Sequence, residues 1–164
     1  MATLQFQTVL GYLLVGLFLG IPTAIMPESM TLSSMPSPNA AQGVSGLVVR
    51  LQGDQMPTVG ASIPSKPEPV STDVWVFSGR IQSKGPRWSI TEASKHSNLV
   101  TRVHSDRQGE FFVSLPPGEY TLFAQYGSHL YLNSFLGDGS YTSVQVTPGK
   151  VTKTRLANTE GATF

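Results

Sequence analysis

Histidine offers the most direct route to catalysis or metal binding, and the chain has three: His96, His104 and His129. None of them forms the H-x-H or H-E-x-x-H spacing that brings two imidazoles to one metal ion. The chain has no cysteine, which excludes disulfides, thiolate zinc sites, iron–sulfur clusters and a cysteine nucleophile. His104 is predicted to stand at a strand end. These patterns predict no metal, no cofactor and no catalytic residue.

Serine and aspartate patterns are equally weak signals for chemistry. No G-x-S-x-G motif is present, and the Gly-Ser pairs at 127–128 and 139–140 are typical of turns. Asp138 is a lone carboxylate, whereas calcium takes about six to eight oxygen ligands. One catalytic alternative stays open. It is an unrecognised hydrolytic or metal-dependent enzyme in which His104 or His129 meets an acid in a polar cleft.

Aromatic side chains are the remaining signal, because several fall on one face of the predicted strands. In the run 73–78, Trp75 and Phe77 alternate with valines, so they point to the opposite face. Phe112 and Phe123 are predicted to point the same way. A two-layer sandwich presents that face to solvent. A contiguous aromatic patch there needs either a partner or a cover.

Two interpretations follow for this aromatic face. Either the stretches 52–72 and 79–98 fold over it, with Trp88 and Ile90 as plugs, or it is an interface for protein or glycan. Trp88 beside Arg87 could also stack on a sugar or a base. A solvated basic loop explains the same residues.

A second candidate site combines polar and aromatic side chains. Tyr131 and Asn133 lie two residues apart and share one side of a predicted extended segment. Asp138 follows shortly after them, and the three could form a ligand site. The candidate binding residues are therefore Trp75, Phe77, Trp88, Tyr131, Asn133 and Asp138.

Composition limits the classes of fold and partner. The chain has 164 residues, the size of one domain with at most a tail. Only 13% of the residues are charged, and the 16 glycines and 12 prolines indicate many turns and few long helices. The formal net charge is +1, so no long-range field for nucleic acid or anionic lipid is expected.

Short β-branched and aromatic runs, separated by Gly, Pro or Asp turns, recur through the second part of the chain. The predicted strands are 44–51, 73–78, 99–104, 110–114, 120–126, 129–135, 141–146 and 151–156. The turn Thr147-Pro148-Gly149-Lys150 joins the last two and predicts a hairpin. Seven or eight such strands predict an all-β, antiparallel β-sandwich.

The N-terminal part is set apart from this strand pattern. Residues 9–21 form an apolar run of about 13 residues, the length of a signal-peptide h-region, whereas a spanning helix needs about 20. Residues 1–26 are therefore predicted to be a signal peptide, with an uncleaved membrane anchor as the alternative. Residues 27–43, rich in Pro and Ser, are predicted to be a tether, and residues 44–164 the sandwich domain.

The run SDRQGEFFVSLPPGEYTLFAQYG, Ser105–Gly127, holds an acidic turn with Gly, then Phe and L-P-P-G-x-Y. Asp106 and Gly109 are predicted to close a tight turn, with Phe111 and Tyr120 on the buried face. The residues that carry the pattern are Asp106, Gly109, Phe111, Leu115, Pro116, Pro117, Gly118 and Tyr120. This run resembles the carboxypeptidase regulatory-like domain. The resemblance implies a seven-stranded, transthyretin-like (prealbumin-like) sandwich.

The resemblance also implies a kind of function. Members of this family mostly serve as accessory modules of extracytoplasmic proteins. We therefore expect a non-catalytic, exported binding or accessory module, periplasmic or at the cell surface, that contacts an envelope protein or a glycan. Nucleic acid is not an expected partner. Membrane contact is expected only through residues 1–26, if they stay uncleaved.

Overall fold

Ten β-strands and one short helix make up the part of the chain that the computed structural model describes, residues 41–56 and 66–164. The strands are β1 (Gly43–Asp54), β2 (Glu68–Pro69), β3 (Asp73–Ser78), β4 (Arg87–Ser89), β5 (Leu99–His104), β6 (Glu110–Ser114), β7 (Gly118–Tyr126), β8 (His129–Tyr131), β9 (Val144–Val146) and β10 (Val151–Thr163). The helix α1 is Ile90–Ala93. The all-β prediction is confirmed, and the strands form two sheets that do not close into a barrel.

The predicted signal peptide or anchor, residues 1–26, and nearly all of the predicted tether, 27–43, lie outside the described residues. Within the two described ranges, no helix is long and apolar enough to cross a membrane. β1 begins at Gly43 and continues to Asp54, so the first strand is longer than the predicted 44–51.

β1 is the central strand of the first, four-stranded sheet. One of its edges pairs with β10 in parallel along its whole length, with a register shift near Arg50. The other edge pairs antiparallel with β6, where Leu47 lies opposite Glu110, and then with β2, where Val49 lies opposite Pro69. Both hydrogen-bonding edges of β1 are therefore in use.

The predicted hairpin between 141–146 and 151–156 is wrong. β9 pairs antiparallel with β7 in the second sheet, whereas β10 pairs with β1 in the first. The turn itself forms, because the Lys150 N–H donates to the Thr147 carbonyl oxygen at 3.2 Å. The local turn signal was right, but the pairing partner was not. The first sheet is consequently mixed rather than purely antiparallel.

The second sheet has the strand order β4-β8-β7-β3-β5, with β9 also paired to β7. Every pairing in it is antiparallel. Val74, Trp75, Val76 and Phe77 on β3 are all buried. Because alternate side chains of a strand point to opposite faces, both faces of this sheet are covered at β3.

One hydrophobic cluster contains residues from both sheets. Val44 and Val48 of β1 are fully buried, as are Val74 and Val76 of β3, and Leu156 of β10 joins the same cluster. Burial of a side chain of this size contributes about 1.5–3 kcal/mol. This shared cluster is what holds the two sheets together.

The turn before β6 builds fold rather than chemistry. The Asp106 carboxylate accepts hydrogen bonds from two backbone N–H groups of the turn at 2.8 and 2.9 Å, and Gly109 has a φ of +76°. Phe111 and Tyr120 are buried. The Tyr120 hydroxyl donates to the Pro116 carbonyl oxygen at 3.0 Å. The predicted tight turn and the predicted buried aromatics are both confirmed.

Candidate functional site

The aromatic face of β3 is covered by the chain itself. Trp75, Phe77, Phe123 and Trp88 are at most 3% exposed. The Phe77 ring centroid lies 5.1 Å from that of Trp88 and 5.5 Å from that of Phe123. The stretch 79–98 therefore supplies the cover, with Trp88 as a plug. This burial corrects the interpretation of Trp75, Phe77 and Trp88 as residues that contact a protein or a glycan.

The polar edges of the two tryptophans are also occupied. Trp75 Nε1 donates to Gln125 Oε1 at 2.9 Å, and the Arg102 guanidinium carbon lies 3.7 Å from the Trp75 ring centroid. Trp88 Nε1 donates to Glu92 Oε2 at 3.2 Å. Both indole rings are therefore buried in contacts within the chain, and Trp88 is not placed to stack on a sugar or a base.

Tyr131 and Asn133 are brought together at Thr159 on β10. The Thr159 hydroxyl oxygen lies 2.9 Å from the Tyr131 hydroxyl, and Asn133 Nδ2 donates to it at 3.1 Å. Both residues line a shallow depression with Arg87 and Glu160, which form an ion pair. Because Tyr131 is only 3% exposed, its ring offers no surface on which a ligand could stack.

Asp138 does not join Tyr131 and Asn133, because other groups hold its carboxylate. The Ser140 hydroxyl and amide donate to it at 2.5 and 3.0 Å, and Arg80 donates at 3.2 Å. The bonds from Ser140, and then the one from Arg80, hold the pKa of Asp138 below its usual range. Asp138 therefore stabilises the turn that was predicted at this position.

A further polar cluster surrounds Tyr126, and no spacing of residues in the sequence indicated it. The Tyr126 hydroxyl and His129 Nε2 are buried without a hydrogen-bond partner in the described part of the chain. Glu160 Oε1 lies 3.9 Å from His129 Nε2, and the Arg50 guanidinium carbon lies 5.6 Å from the Tyr126 ring centroid. Burial raises the pKa of Tyr126 to about 12. Its phenol therefore stays neutral near pH 7 and supplies no base.

Ser71, His104 and Asp73 form a Ser–His–Asp arrangement where β3 begins and β5 ends. Asp73 lies opposite His104, which ends β5 as predicted, and Asp73 Oδ1 is 2.7 Å from His104 Nδ1. Ser71 Oγ is 3.2 Å from His104 Nε2. Ser71 and Asp73 are two residues apart, the spacing that puts two side chains on one side of an extended chain. That spacing was the signal in the sequence, but His104 is distant in sequence.

The hydrogen bonds of Ser71 decide what this arrangement does. The Ser71 hydroxyl lies 2.9 Å from the Ser105 carbonyl oxygen and 3.2 Å from His104 Nε2. It has a single proton, so a bond to the Ser105 carbonyl oxygen competes with the bond to His104 that a triad needs. The side chains of His104 and Asp73 are 64% and 46% exposed. The arrangement is therefore a solvent-exposed hydrogen-bond network in which the Ser71 proton has two possible acceptors.

The face of the first sheet that points away from the shared hydrophobic cluster is called its outer face. It carries a groove that combines an apolar floor with positive charge. We call it the basic groove, and its volume is about 610 Å³. The described residues that line it are Leu47, Val49, Lys66, Pro67, Pro69, Arg107, Gln108 and Arg155. No carboxylate is among them. Arg155 lies directly opposite Leu47 in the parallel pairing of β10 with β1, so the charge stands beside the floor.

Phe112 lies on the same outer face, next to the basic groove. It lines an adjoining depression that also contains Leu47 and Lys153, and it is 47% exposed. The prediction that Phe112 shares a face with Trp75 is wrong, because β6 belongs to the first sheet. Asp106 and Glu110 also line this second depression. The acidic side chains therefore lie on the Phe112 side of the outer face.

The side chains give no indication of a metal centre. Within residues 41–56 and 66–164, no group of three or more His, Asp or Glu residues could hold a metal ion. His96 packs edge-on against Trp88, with ring centroids 5.2 Å apart.

No family model, no curated protein and no solved structure matches the chain.

Proposed function

We propose that the protein is a non-catalytic, exported binding module of the cell envelope, and that it contacts an envelope protein through the outer face of the first sheet. The observation that carries this proposal is the exposed Phe112 next to a groove with three cations and no carboxylate among its described lining residues. Aromatic residues and arginine are enriched where proteins bind one another, and buried aromatic anchors often dominate the affinity.

The fold belongs to the same proposal, as a transthyretin-like sandwich of the carboxypeptidase regulatory-like kind. The hydrophobic cluster shared by the two sheets and the turn from Asp106 to Glu110 support it. In such a sandwich the inner faces form the core, and partners must use outer faces or edges. The stretch 79–98 covers the outer face of the second sheet at β3. The outer face of the first sheet is therefore the one that we assign to the partner.

A photo-crosslinker placed on the proposed face tests this assignment. Phe112→p-benzoylphenylalanine in the full chain, irradiated in intact cells, should give a crosslinked species of one defined mass. The control is Val100→p-benzoylphenylalanine, since Val100 is also 47% exposed but lies on β5 at the edge of the second sheet. Equal crosslinking at both positions, or none at position 112, would overturn the proposal.

The same crosslink separates a protein partner from a glycan. If the partner is a protein, its mass should be lost from the crosslinked species after protease treatment and retained after treatment with glycan-degrading enzymes. The reverse result would reassign the outer face to an envelope glycan, which the sequence also allows as a partner. Binding to a glycan would therefore contradict the protein partner but not the use of this face.

A hydrolytic enzyme is the second candidate, and one observation favours it. Ser71, His104 and Asp73 have the connectivity of a catalytic triad. If Ser71 is a nucleophile, a fluorophosphonate probe should label it covalently in the native chain, and Ser71→Ala should lose that label. We expect no labelling of Ser71, because the Ser105 carbonyl oxygen competes with His104 for its proton.

A further inference from the structure

We infer that the basic groove binds an acidic segment of the partner protein, in which carboxylates alternate with apolar side chains. The carboxylates pair with Lys66, Arg107 and Arg155, while the apolar side chains lie on Leu47, Pro67 and Pro69. This inference rests on the proposed function, because it specifies the chemistry of the partner that contacts the outer face.

Charge complementarity is the first support. The three cations of the groove form no ion pair with any residue in the described ranges. The nearby Glu68 carboxylate instead accepts a hydrogen bond from Gln52 Nε2 at 3.4 Å. Among the other described cations, Arg80, Lys84 and Arg87 pair with a carboxylate, whereas Arg50, Lys95, Arg102, Lys150 and Lys153 do not. The groove differs because three unpaired cations lie around one apolar floor. A groove whose described cations lack internal partners is complementary to an external anion.

The apolar floor favours a chain over a simple anion. Leu47, Pro67 and Pro69 supply the accessible apolar surface, and Val49, which pairs with Pro69 across the sheet, is buried beneath them. A volume of about 610 Å³ is that of a pocket for a ligand much larger than one carboxylate.

The pairing of β1 limits how the segment binds. β1 is hydrogen-bonded to β10 on one edge and to β6 and β2 on the other. The partner therefore does not add to β1 as a further strand. Neutralising the cations should weaken binding, because their charge is what pairs with the carboxylates of the segment.

Fluorescence anisotropy with two model peptides tests the inference. The full chain, purified in a non-ionic detergent, is titrated into fluorescein-labelled acetyl-(Glu-Leu)4-amide and into the neutral acetyl-(Gln-Leu)4-amide. The acidic peptide should bind saturably and at least about tenfold more tightly, and its binding should weaken as NaCl rises. Arg107→Gln and Arg155→Gln should each weaken it about two- to fivefold, and together by about tenfold.

Lys95→Gln is the matched control, because Lys95 is an exposed cation on the segment that covers the second sheet. It should leave binding of the acidic peptide unchanged. Unfolding midpoints of the variants check that each one folds. Equal binding of the two peptides, no saturable binding at millimolar concentration, or an equal loss in Lys95→Gln would overturn the inference.

Three further outcomes separate this inference from the proposed function. If sedimentation shows a dimer that Arg107→Gln and Arg155→Gln dissociate, the groove takes a second copy of the chain and the inference is wrong. If the crosslink from position 112 persists in the doubly substituted chain, the outer face still contacts its partner and only the role of the groove fails. If the chain with native Arg107 and Arg155 gives no crosslink from position 112 in cells, yet binds the acidic peptide when purified, the proposed function is overturned instead.

Discussion

At the residue scale, Tyr126 makes the clearest prediction about pH. Its hydroxyl is buried without a hydrogen-bond partner in the described part of the chain, and burial raises its pKa from 10.0 to about 12. The unfolded chain ionises this phenol near pH 10, while the folded chain keeps it neutral. The free energy of unfolding should therefore keep its full value below about pH 10 and fall as the pH rises to about 12.

Urea unfolding of Tyr126→Phe between pH 7 and 11.5 measures this effect. The variant should lose the alkaline fall and be at least as stable as the native chain at pH 7, because no hydrogen bond is removed. Tyr120→Phe is the control. It removes the donor to the Pro116 carbonyl oxygen, so it should cost about 1 kcal/mol at pH 7 and retain the alkaline fall. An alkaline fall that persists in Tyr126→Phe would contradict the buried hydroxyl.

Two phenylalanines of opposite exposure test the covered aromatic face. Phe77 is 0% exposed and Phe112 is 47% exposed. Phe77→Ala leaves a cavity among the Trp88 and Phe123 rings and should lower the free energy of unfolding by about 3–5 kcal/mol. Phe112→Ala should change it by no more than about 0.5 kcal/mol. Comparable losses in urea unfolding would mean that the outer face of the first sheet is covered in the folded chain.

At the element scale, the turn before β6 depends on one glycine. Gly109 has a φ of +76°, and a Cβ there would lie 2.3 Å from the Val48 carbonyl oxygen. Gly149 has a similar φ of +67°, but a Cβ there meets no described atom within 4 Å. Gly149→Ala should cost only the backbone conformation, roughly 1–2 kcal/mol. Gly109→Ala should cost about 1–3 kcal/mol more, because β1 or the turn must move.

Thermal or urea unfolding of the two alanine variants gives the comparison directly. Equal losses would show that the turn can move away from β1 without cost. They would also mean that contact with β1 is not the reason for a glycine at position 109, three residues after Asp106.

The elements themselves were predictable where their signals are local. Asp106 and Tyr120 act through hydrogen bonds to residues only a few positions away, and the sequence alone shows such patterns. The pairing of β10 was not predictable in this way. The Thr147–Lys150 turn suits a hairpin, yet β10 pairs with β1, which lies about a hundred residues earlier. The choice between those partners depends on which residues each pairing buries.

At the scale of the whole molecule, the basic groove could not be predicted, because composition gives the sum of the charges and not their positions. The net charge of +1 comes from 11 basic and 10 acidic residues, and it hides their separation in space. Lys66, Arg107 and Arg155 come from three distant segments that meet only when β2, β6 and β10 pair with β1. The sequence did predict a cover for Trp75 and Phe77 as one of two outcomes. Choosing between the two required the position of the 79–98 stretch.

Export is the prediction that concerns the whole chain. Residues 9–21 form an apolar run without charge, and we expect a tagged chain in a bacterial host to reach the envelope with a shortened N-terminus, read by mass spectrometry. Leu13→Arg places a charge in this run, at a cost of about 2.5–3.5 kcal/mol for insertion, and should hold the chain at full length in the cytoplasm. Ser33→Arg, in the tether, should leave export unchanged. A native chain found at full length in the cytoplasm would remove the envelope partner from the proposal, while the basic groove would still predict an acidic partner.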